Sequence, residues 1–83
     1  MNKFRKIMGE INSEALYPTG YEEAIVGIVC TKEHDYVFLV DINIIKNILV
    51  NQENMDDAEA MEHIDFNIMG SYMGKNSPVY KVW

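Results

Sequence analysis

The stretch AIVGIVCTKEHDYVFLV, from Ala24 to Val40, decides the fold. Two short apolar runs, both rich in β-branched residues, flank the polar connector TKEHD. Such runs are typical of β-strands, and a five-residue connector between them predicts an antiparallel hairpin. The apolar composition of the first run predicts a central strand that is buried on both faces, with Cys30 as a buried, inert thiol. Gly27 inside that strand indicates a bulge or a close approach by another element.

Segments with helical periodicity lie on both sides of the hairpin. NKFRKIMGEIN precedes it and carries an apolar face at helical spacing, made of Phe4, Ile7, Met8 and Ile11. INIIKNILVNQ follows it, with Asp41 as the predicted N-cap and an apolar face made of Ile42, Ile45, Ile48 and Leu49. Both segments are therefore predicted to pack one face against the sheet.

A further helix and a final strand complete the predicted order of elements. DDAEAMEHIDFNIMGSYM begins with Asp56 and Glu59 at the D-x-x-E spacing of a capping box. Its apolar stripe is predicted to include Ala58, Met61, Ile64 or Asp65, Ile68 and Tyr72. SPVYKVW is predicted to be a short strand. The fold class is therefore α+β: one domain over residues 1–83, with a small antiparallel sheet of about three strands and two to three helices packed on one face.

The corner LYPTGY, from Leu16 to Tyr21, connects the first helix to the first strand. Pro18 presets φ for the second position of a turn and Gly20 suits the fourth, which predicts a type I turn.

Composition narrows the classes of function. Thirteen acids against seven bases give a net charge of −6, which argues against a nucleic-acid binder with a broad basic face. A single cysteine excludes an internal disulfide, and Cys30, His34 and His63 lack the spacing of a zinc site. No apolar run is long enough to span a membrane, so we expect a cytoplasmic protein. We also expect the protein to use no metal and no cofactor.

Two surfaces are candidates for binding a partner protein. Exposed tyrosines in the corner would be good anchors, and the later helix carries a stripe of acids. The predicted partner-binding residues are Tyr17, Thr19, Tyr21, Glu22 and Glu23 in the corner, and Asp56, Glu59 and Glu62 in the helix. The alternatives are half-buried packing for the tyrosines and a capped, solvated face for the acids. Asp65, beside the apolar stripe, is expected to be partly buried.

The segment after that helix offers a second kind of site. Polar side chains near its glycines could bind a small molecule, and the predicted ligand-binding residues are Asn67, Ser71, Tyr72, Lys75 and Asn76. The structural alternative is that Asn67 is partly buried and pins the GKNSP loop. His63 and Asp65 point about 200° apart on a helix, so they form no catalytic dyad. No nucleophile motif is present, so we predict no catalytic residues and no enzymatic activity.

Two stretches resemble a group of small proteins encoded by bacteriophages and prophages, which share the motifs YPxG[YF]xxA and FNxxG[AS][YW]xGxx[TS]P. The first motif is matched by Tyr17, Pro18, Gly20, Tyr21 and Ala24, and the second by Phe66, Asn67, Gly70, Ser71, Tyr72, Gly74, Ser77 and Pro78. Lys75 departs from the group, in which glutamate is usual. The group has no established biochemical activity, so the resemblance implies an origin and not a mechanism.

The resemblance and the acidic composition together favour a phage-encoded interaction protein. It would bind and modulate, or inhibit, a protein of the bacterial host or of its anti-phage defence, in the cytoplasm of the infected cell. The alternative is a protein, possibly oligomeric, that binds or sequesters a nucleotide-type signal. A structural or assembly factor is a third class.

Overall fold

The structure is a computed structural model, and it describes residues 2–70 and 74–82. Its elements follow the predicted order and confirm the α+β class. They are α1 (Lys3–Ile11), a short 3₁₀ turn (Glu22–Ala24), β1 (Ile25–Cys30), β2 (Tyr36–Asp41), α2 (Ile42–Gln52), α3 (Asp57–Ile64), a π-helical segment (Asp65–Met69) and β3 (Val79–Lys81).

The sheet has the strand order β1-β2-β3, and it is mixed. β1 and β2 form the predicted antiparallel hairpin, with Ile28 opposite Phe38. β3 runs parallel to β2, with Val79 opposite Leu39, so the prediction of a wholly antiparallel sheet is wrong for β3. The reason is the connection, because a helical crossover between two strands of one sheet returns the chain to the same end and makes them parallel.

The central strand is β2 and not β1. Val37, Phe38 and Val40 of β2 are almost completely buried, whereas β1 has β2 as its one neighbour among the described strands. Cys30 is consequently exposed, and the predicted buried thiol is wrong. The apolar composition of β1 predicted a buried strand, but it could not show whether β3 would pair with β1 or with β2. The bulge predicted at Gly27 is confirmed by a register shift between Ile25 and Gly27.

The core lies between one face of the sheet and the three helices. Phe38 and Val40 lie two residues apart and face the same side, where they join a cluster that includes Met8 of α1, Ile42, Ile45 and Leu49 of α2, and Ala60 and Ile64 of α3. The predicted apolar face of α2 is confirmed for Ile42, Ile45 and Leu49, whereas Ile48 is only half-buried and lies outside the core cluster. That of α1 is only half packed, because Ile7 and Ile11 remain 45 % and 46 % exposed.

Local hydrogen bonds fix the ends of the helices as the sequence predicts. The Asp41 carboxylate accepts from the backbone N–H of Asn43 at 2.8 Å and caps α2. At the start of α3, Glu59 donates its backbone N–H to the Asp56 carboxylate at 2.8 Å, and Asp56 donates its own to the Glu59 carboxylate at 3.4 Å. The predicted capping box is therefore present.

The corner before β1 is an ordered turn, shifted by one residue from its prediction. Tyr21 donates its backbone N–H to the Pro18 carbonyl at 3.0 Å, so the turn begins at Pro18. Gly20 is then its third residue, with a φ of 93°. The prediction of a type I turn is therefore wrong, because the third residue of that turn has a negative φ, whereas a type II turn requires the positive φ that glycine adopts without strain.

Candidate functional site

The outward face of α3 is defined by the residues that α3 buries. Ala60, Ile64 and Ile68 recur every fourth residue and are almost fully buried. This stripe differs from the predicted one, because Ala58 and Asp65 are exposed. The π-helical segment starts at Asp65, and its wider turn changes the direction of every side chain after Ile64 relative to an α-helix. The opposite face of the same segment is therefore open to solvent.

Phe66 stands out on that open face. It is 76 % exposed, the highest value among the large hydrophobic side chains that the structure describes. It lies beside a shallow depression of about 300 Å³ lined by Met55, Glu59, Glu62, His63, Phe66 and Asn67. We call these six residues the α3 face. They place an aromatic ring beside carboxylates, on one side of one helix.

The backbone holds Phe66 in this position. A Cβ atom on Gly70 would lie 3.0 Å from the carbonyl oxygen of Asp65 and 3.2 Å from that of Phe66. Both distances are tighter than nine in ten real Cβ contacts, so a side chain at Gly70 would push these carbonyls away by a few tenths of an ångström. Gly70 therefore supports the π-helical segment that directs Phe66 outward.

The α3 face is acidic. Glu59 and Glu62 belong to it, and the exposed residue Asp65 directly precedes Phe66 in the sequence. None of the described residues that line the depression is a lysine or an arginine. The ion pair between Lys46 and Asp57, at 3.8 Å, lies at the start of α3 and outside the depression. This face therefore presents negative charge around an apolar ring.

The tyrosines of the corner are packing residues in the structure. The Tyr17 ring meets the Phe38 ring edge-on, with centroids 5.8 Å apart, and Tyr21 also packs against the core. Arg5 donates to the Tyr17 hydroxyl at 2.8 Å, and its guanidinium lies 4.8 Å from the centre of the ring. These contacts agree with the half-buried alternative for both tyrosines.

The polar residues of the corner divide between structure and solvent. The Glu22 carboxylate accepts from the backbone N–H of Gly20 at 3.2 Å. Hydrogen bonds from the backbone N–H groups of Glu22 itself and of Gly20 lower the pKa of this carboxyl, with a smaller contribution from Arg5. Thr19 and Glu23 remain exposed. Few side chains of the corner therefore remain available to contact a partner.

Of the predicted ligand-binding residues, the three that the structure describes, Asn67, Lys75 and Asn76, do not line one common site. Asn67 is exposed, so the prediction that it is partly buried is wrong; its side-chain amide donates to the His63 carbonyl at 3.2 Å. Lys75 is exposed beside Thr31 and Glu33. Ser71 and Tyr72 lie outside the described residues.

Asn76 has a structural role instead. Its side-chain oxygen accepts from the Asn12 amide at 3.0 Å, and its backbone carbonyl accepts from the N–H of Leu16 at 2.9 Å. These bonds join the loop before β3 to the segment after α1. Asn76 therefore fixes this loop to the segment after α1, and the role suggested for Asn67 in holding the GKNSP loop stays a prediction.

The two motif stretches meet at a groove of about 290 Å³. Leu16, Tyr17 and Pro18 form one side, and the other described lining residues are Asn67, Ile68, Ser77, Pro78 and Tyr80. Burial raises the pKa of the Tyr80 phenol. None of these lining residues is a cation. Asn67 also belongs to the α3 face, so the groove and that face share a border.

The described residues hold neither a metal-binding cluster nor a membrane-spanning helix. No group of three or more His, Cys, Asp or Glu side chains in residues 2–70 and 74–82 is arranged to hold a metal ion. Within the same residues, every helix is too short or too polar to cross a membrane.

Comparisons of the chain with protein-family models, with curated proteins and with solved structures found no match. The residue that sequence reasoning missed is Phe66, because an aromatic residue inside an apolar-periodic helix is usually assigned to the core. A helical projection was the available signal, since Glu59, Glu62 and Phe66 follow one another at spacings of three and four.

Proposed function

We propose that this protein is a non-enzymatic interaction module that binds a partner protein through the α3 face. The observation that carries the proposal is the 76 % exposure of Phe66 beside Glu59 and Glu62. Single exposed hydrophobic residues are common on protein surfaces. An aromatic ring that is 76 % exposed, just after a capped helix, is a less usual feature. Aromatic side chains are also enriched among the residues that dominate binding energy.

The ring and the carboxylates of this face would contribute to binding in different ways. Complete burial of a phenylalanine side chain contributes about 1.5–3 kcal/mol, so Phe66 would supply affinity. The carboxylates would sit around it and chiefly increase the association rate and the specificity for a positively charged partner. The partner surface that fits is an apolar pocket with a basic rim, in which an arginine could also stack on the Phe66 ring.

The origin of the partner rests on the sequence resemblance. The YPxG[YF]xxA and FNxxG[AS][YW]xGxx[TS]P motifs resemble those of small phage and prophage proteins, which supports a partner in the bacterial host or in its anti-phage defence. Under this proposal the protein acts in the cytoplasm of the infected cell and modulates or inhibits its target by occupying a basic surface.

A small-molecule binder is the second candidate, and the groove of about 290 Å³ favours it, because residues of both motif stretches line this groove. That volume is at the lower limit of typical ligand sites. A nucleotide-type signal would need cations for its phosphates, and no described lining residue of the groove is one. The protein partner therefore remains the first proposal.

The experiment is an affinity capture from bacterial lysate with tagged wild type and two variants. Phe66→Ser removes the ring, and the double variant Glu62→Gln and Asp65→Asn removes two charges without changing size. Glu59 is left intact because its carboxylate accepts a hydrogen bond in the capping box. We expect the same protein to be captured by wild type and to be lost or strongly reduced with both variants.

Matched controls separate this surface from general effects. Val82→Ser removes a hydrophobic residue that is 49 % exposed elsewhere, and Glu10→Gln with Glu14→Gln removes two exposed charges at and just after α1. Both controls should capture the partner as wild type does. Equal capture by the α3 variants and the controls would contradict the proposed surface. Specific retention of a small molecule by wild type, without a protein, would favour the second candidate.

A further inference from the structure

A further cleft lies between α1, the segment that follows it, and β2. It has a volume of about 270 Å³, and the buried side chains of Met8 and Phe38 form its apolar floor. Other residues of α1 line it, together with Ala15 and Tyr17 of the following segment. We call this space the α1 cleft. It shares no described residue with the α3 face, so what it binds is independent of the proposed protein partner.

Two cations line the α1 cleft, and none of its described lining residues is an acid. Arg5 and Lys6 are neighbours in the first half of α1. In the part of the chain that the structure describes, the ion pairs are those of Lys46 and Lys81, so Arg5 and Lys6 have no ion-pair partner there. Glu10, one turn after Lys6, is exposed and does not line the cleft. On a chain with a net charge of −6, the α1 cleft is therefore a local concentration of positive charge.

Tyr17 holds the Arg5 guanidinium in place at the cleft. The Tyr17 hydroxyl accepts from one guanidinium N–H at 2.8 Å, and the guanidinium lies 4.8 Å from the centre of the ring. Glu22, at a separate depression beside Arg5, is a minor partner. Hydrogen bonds from the backbone N–H groups of Glu22 itself and of Gly20 chiefly lower the pKa of the Glu22 carboxyl, and Arg5 contributes least. The guanidinium is therefore fixed while most of its donors stay available for a carboxylate or a phosphate.

The other polar side chains of the cleft are either used by the fold or able to donate. The Asn12 amide donates to the Tyr36 carbonyl at 2.9 Å and to the Asn76 side-chain oxygen at 3.0 Å. The Asn12 side-chain oxygen accepts from the backbone N–H of Glu14 at 3.2 Å. The Ser13 hydroxyl is exposed and has no hydrogen-bond partner among the described residues. A cleft that offers donors and positive charge, without a carboxylate, is complementary to an anion.

Gly9 keeps the α1 side of the cleft open. A Cβ atom added to Gly9 would meet no atom within 4 Å, so nothing packs against this position. Glycine weakens the interior of a helix relative to alanine, and at Gly9 no close packing compensates for this cost. What the glycine does provide is access, because the backbone of α1 is uncovered beside the apolar floor. A flat ligand can lie against it.

We infer that the α1 cleft binds a small organic anion with a flat apolar body, of the class of aryl carboxylates and aryl phosphates. The anionic head group lies between Arg5 and Lys6, and the Ser13 hydroxyl donates to it. The apolar body lies over Phe38 and against the backbone of Gly9. The volume of about 270 Å³ is just below the range of typical ligand pockets, so the ligand is a small one.

Titration of the protein with small probes, followed by NMR of the backbone amides, tests this site. Phenyl phosphate and benzoate should shift the amide signals of Gly9, Ser13 and Phe38 saturably, with a Kd on the order of 1 mM for ligands of so few atoms. Benzyl alcohol and benzylamine keep the ring without the negative charge, and they should bind at least about tenfold more weakly. Inorganic phosphate and acetate keep the charge without the ring, and they should also bind at least about tenfold more weakly. The tighter of the two aryl anions identifies the head group.

Variants of matched charge separate this cleft from the charge of the whole chain. The double variant Arg5→Gln and Lys6→Gln should weaken the binding of both aryl anions by about tenfold or more. The control variant Lys3→Gln and Lys32→Gln removes as many positive charges at exposed residues outside the cleft, and it should bind within about twofold of wild type. Should the first variant fail to fold, Gly9→Leu keeps both cations and adds a side chain at the cleft, and it should bind at least about tenfold more weakly.

Three results would overturn the inference. The first is equal binding of the aryl anions and of benzyl alcohol by wild type. The second is an equal loss of binding in the two double variants, which would reveal a general effect of charge. The third is a set of shifted amides that lies outside the α1 cleft.

Discussion

Alanine substitution at two glycines should change stability in opposite directions. Gly20 has a φ of 93°, and a Cβ added there meets no atom within 4 Å, so Gly20→Ala suffers backbone strain and no clash. The expected destabilisation is about 1 kcal/mol or more. Gly9 lies inside α1 and also has open space around its Cβ position. Because alanine is the better helix former, Gly9→Ala should stabilise the protein by about 0.5–1 kcal/mol.

Urea denaturation followed by circular dichroism measures both changes, with thermal melting as a second readout. For a domain of this size 1 kcal/mol corresponds to a shift of about 4–8 °C in Tm, so the two variants should melt on opposite sides of wild type. Each variant is the control for the other, since both add one methyl group. Stabilisation by Gly20→Ala, or equal melting of all three proteins, would refute the assigned turn geometry.

The remaining stability predictions concern α3 and the groove. Asp56→Ala removes the cap of α3 and should cost about 1 kcal/mol in urea denaturation, whereas Glu62→Ala, outside the capping box, should change stability by less than about 0.5 kcal/mol. Ile64→Ala should cost about 2–5 kcal/mol because Ile64 is completely buried, and Phe66→Ala should change stability by less than about 0.5 kcal/mol because its ring is exposed. The phenol of Tyr80 has a raised pKa in the folded state, so its contribution to stability is complete below the ordinary value of 10.0 and is lost as pH rises through the folded value. The free energy of unfolding should therefore fall above pH 10 in wild type, and less steeply in Tyr80→Phe. Equal effects of Asp56→Ala and Glu62→Ala, equal effects of Ile64→Ala and Phe66→Ala, or the same alkaline slope with and without Tyr80 would each contradict the corresponding assignment.

The sequence was most informative where local chemistry decides the structure. The capping box at Asp56 and Glu59 and the buried face of α2 were predicted correctly, because caps and helical periodicity depend on neighbouring residues. The hairpin was predicted for the same reason, from two apolar runs and their connector. These elements need no knowledge of what the rest of the chain does.

The sequence was least informative where distant pairing decides the structure. β1 was expected at the centre of the sheet, but β3 pairs with β2 and leaves β1 and Cys30 at the edge. Local composition carries no information about which strand receives a later partner. The strand with which β3 pairs determines whether the IVGIVC stretch lies in the core or at an accessible edge.

The candidate surface was predicted in part. The acids of α3 were chosen from their helical spacing, and the structure places Glu59 and Glu62 together on one exposed face. Phe66 was overlooked although its α-helical spacing from Glu59 and Glu62 was visible in the sequence. Asp65 and Asn67 were misjudged because the helix changes to π geometry at Asp65, which an α-helical projection does not include. Tyr17 was predicted to contact a partner, but it packs against Arg5 and Phe38. Local sequence could not show these contacts, because both residues are distant from Tyr17 along the chain.

The affinity of the captured partner for Phe66→Ser, relative to wild type, tests the central proposal most directly. Calorimetric titration of the purified partner gives this ratio, and urea denaturation of the same samples confirms that the variant is folded. If Phe66 anchors the complex, the change should cost about 2 kcal/mol or more, which is a weakening of about 30-fold, while the unfolding free energy stays within about 0.5 kcal/mol of wild type. An unchanged affinity in a fully folded Phe66→Ser protein would contradict the account.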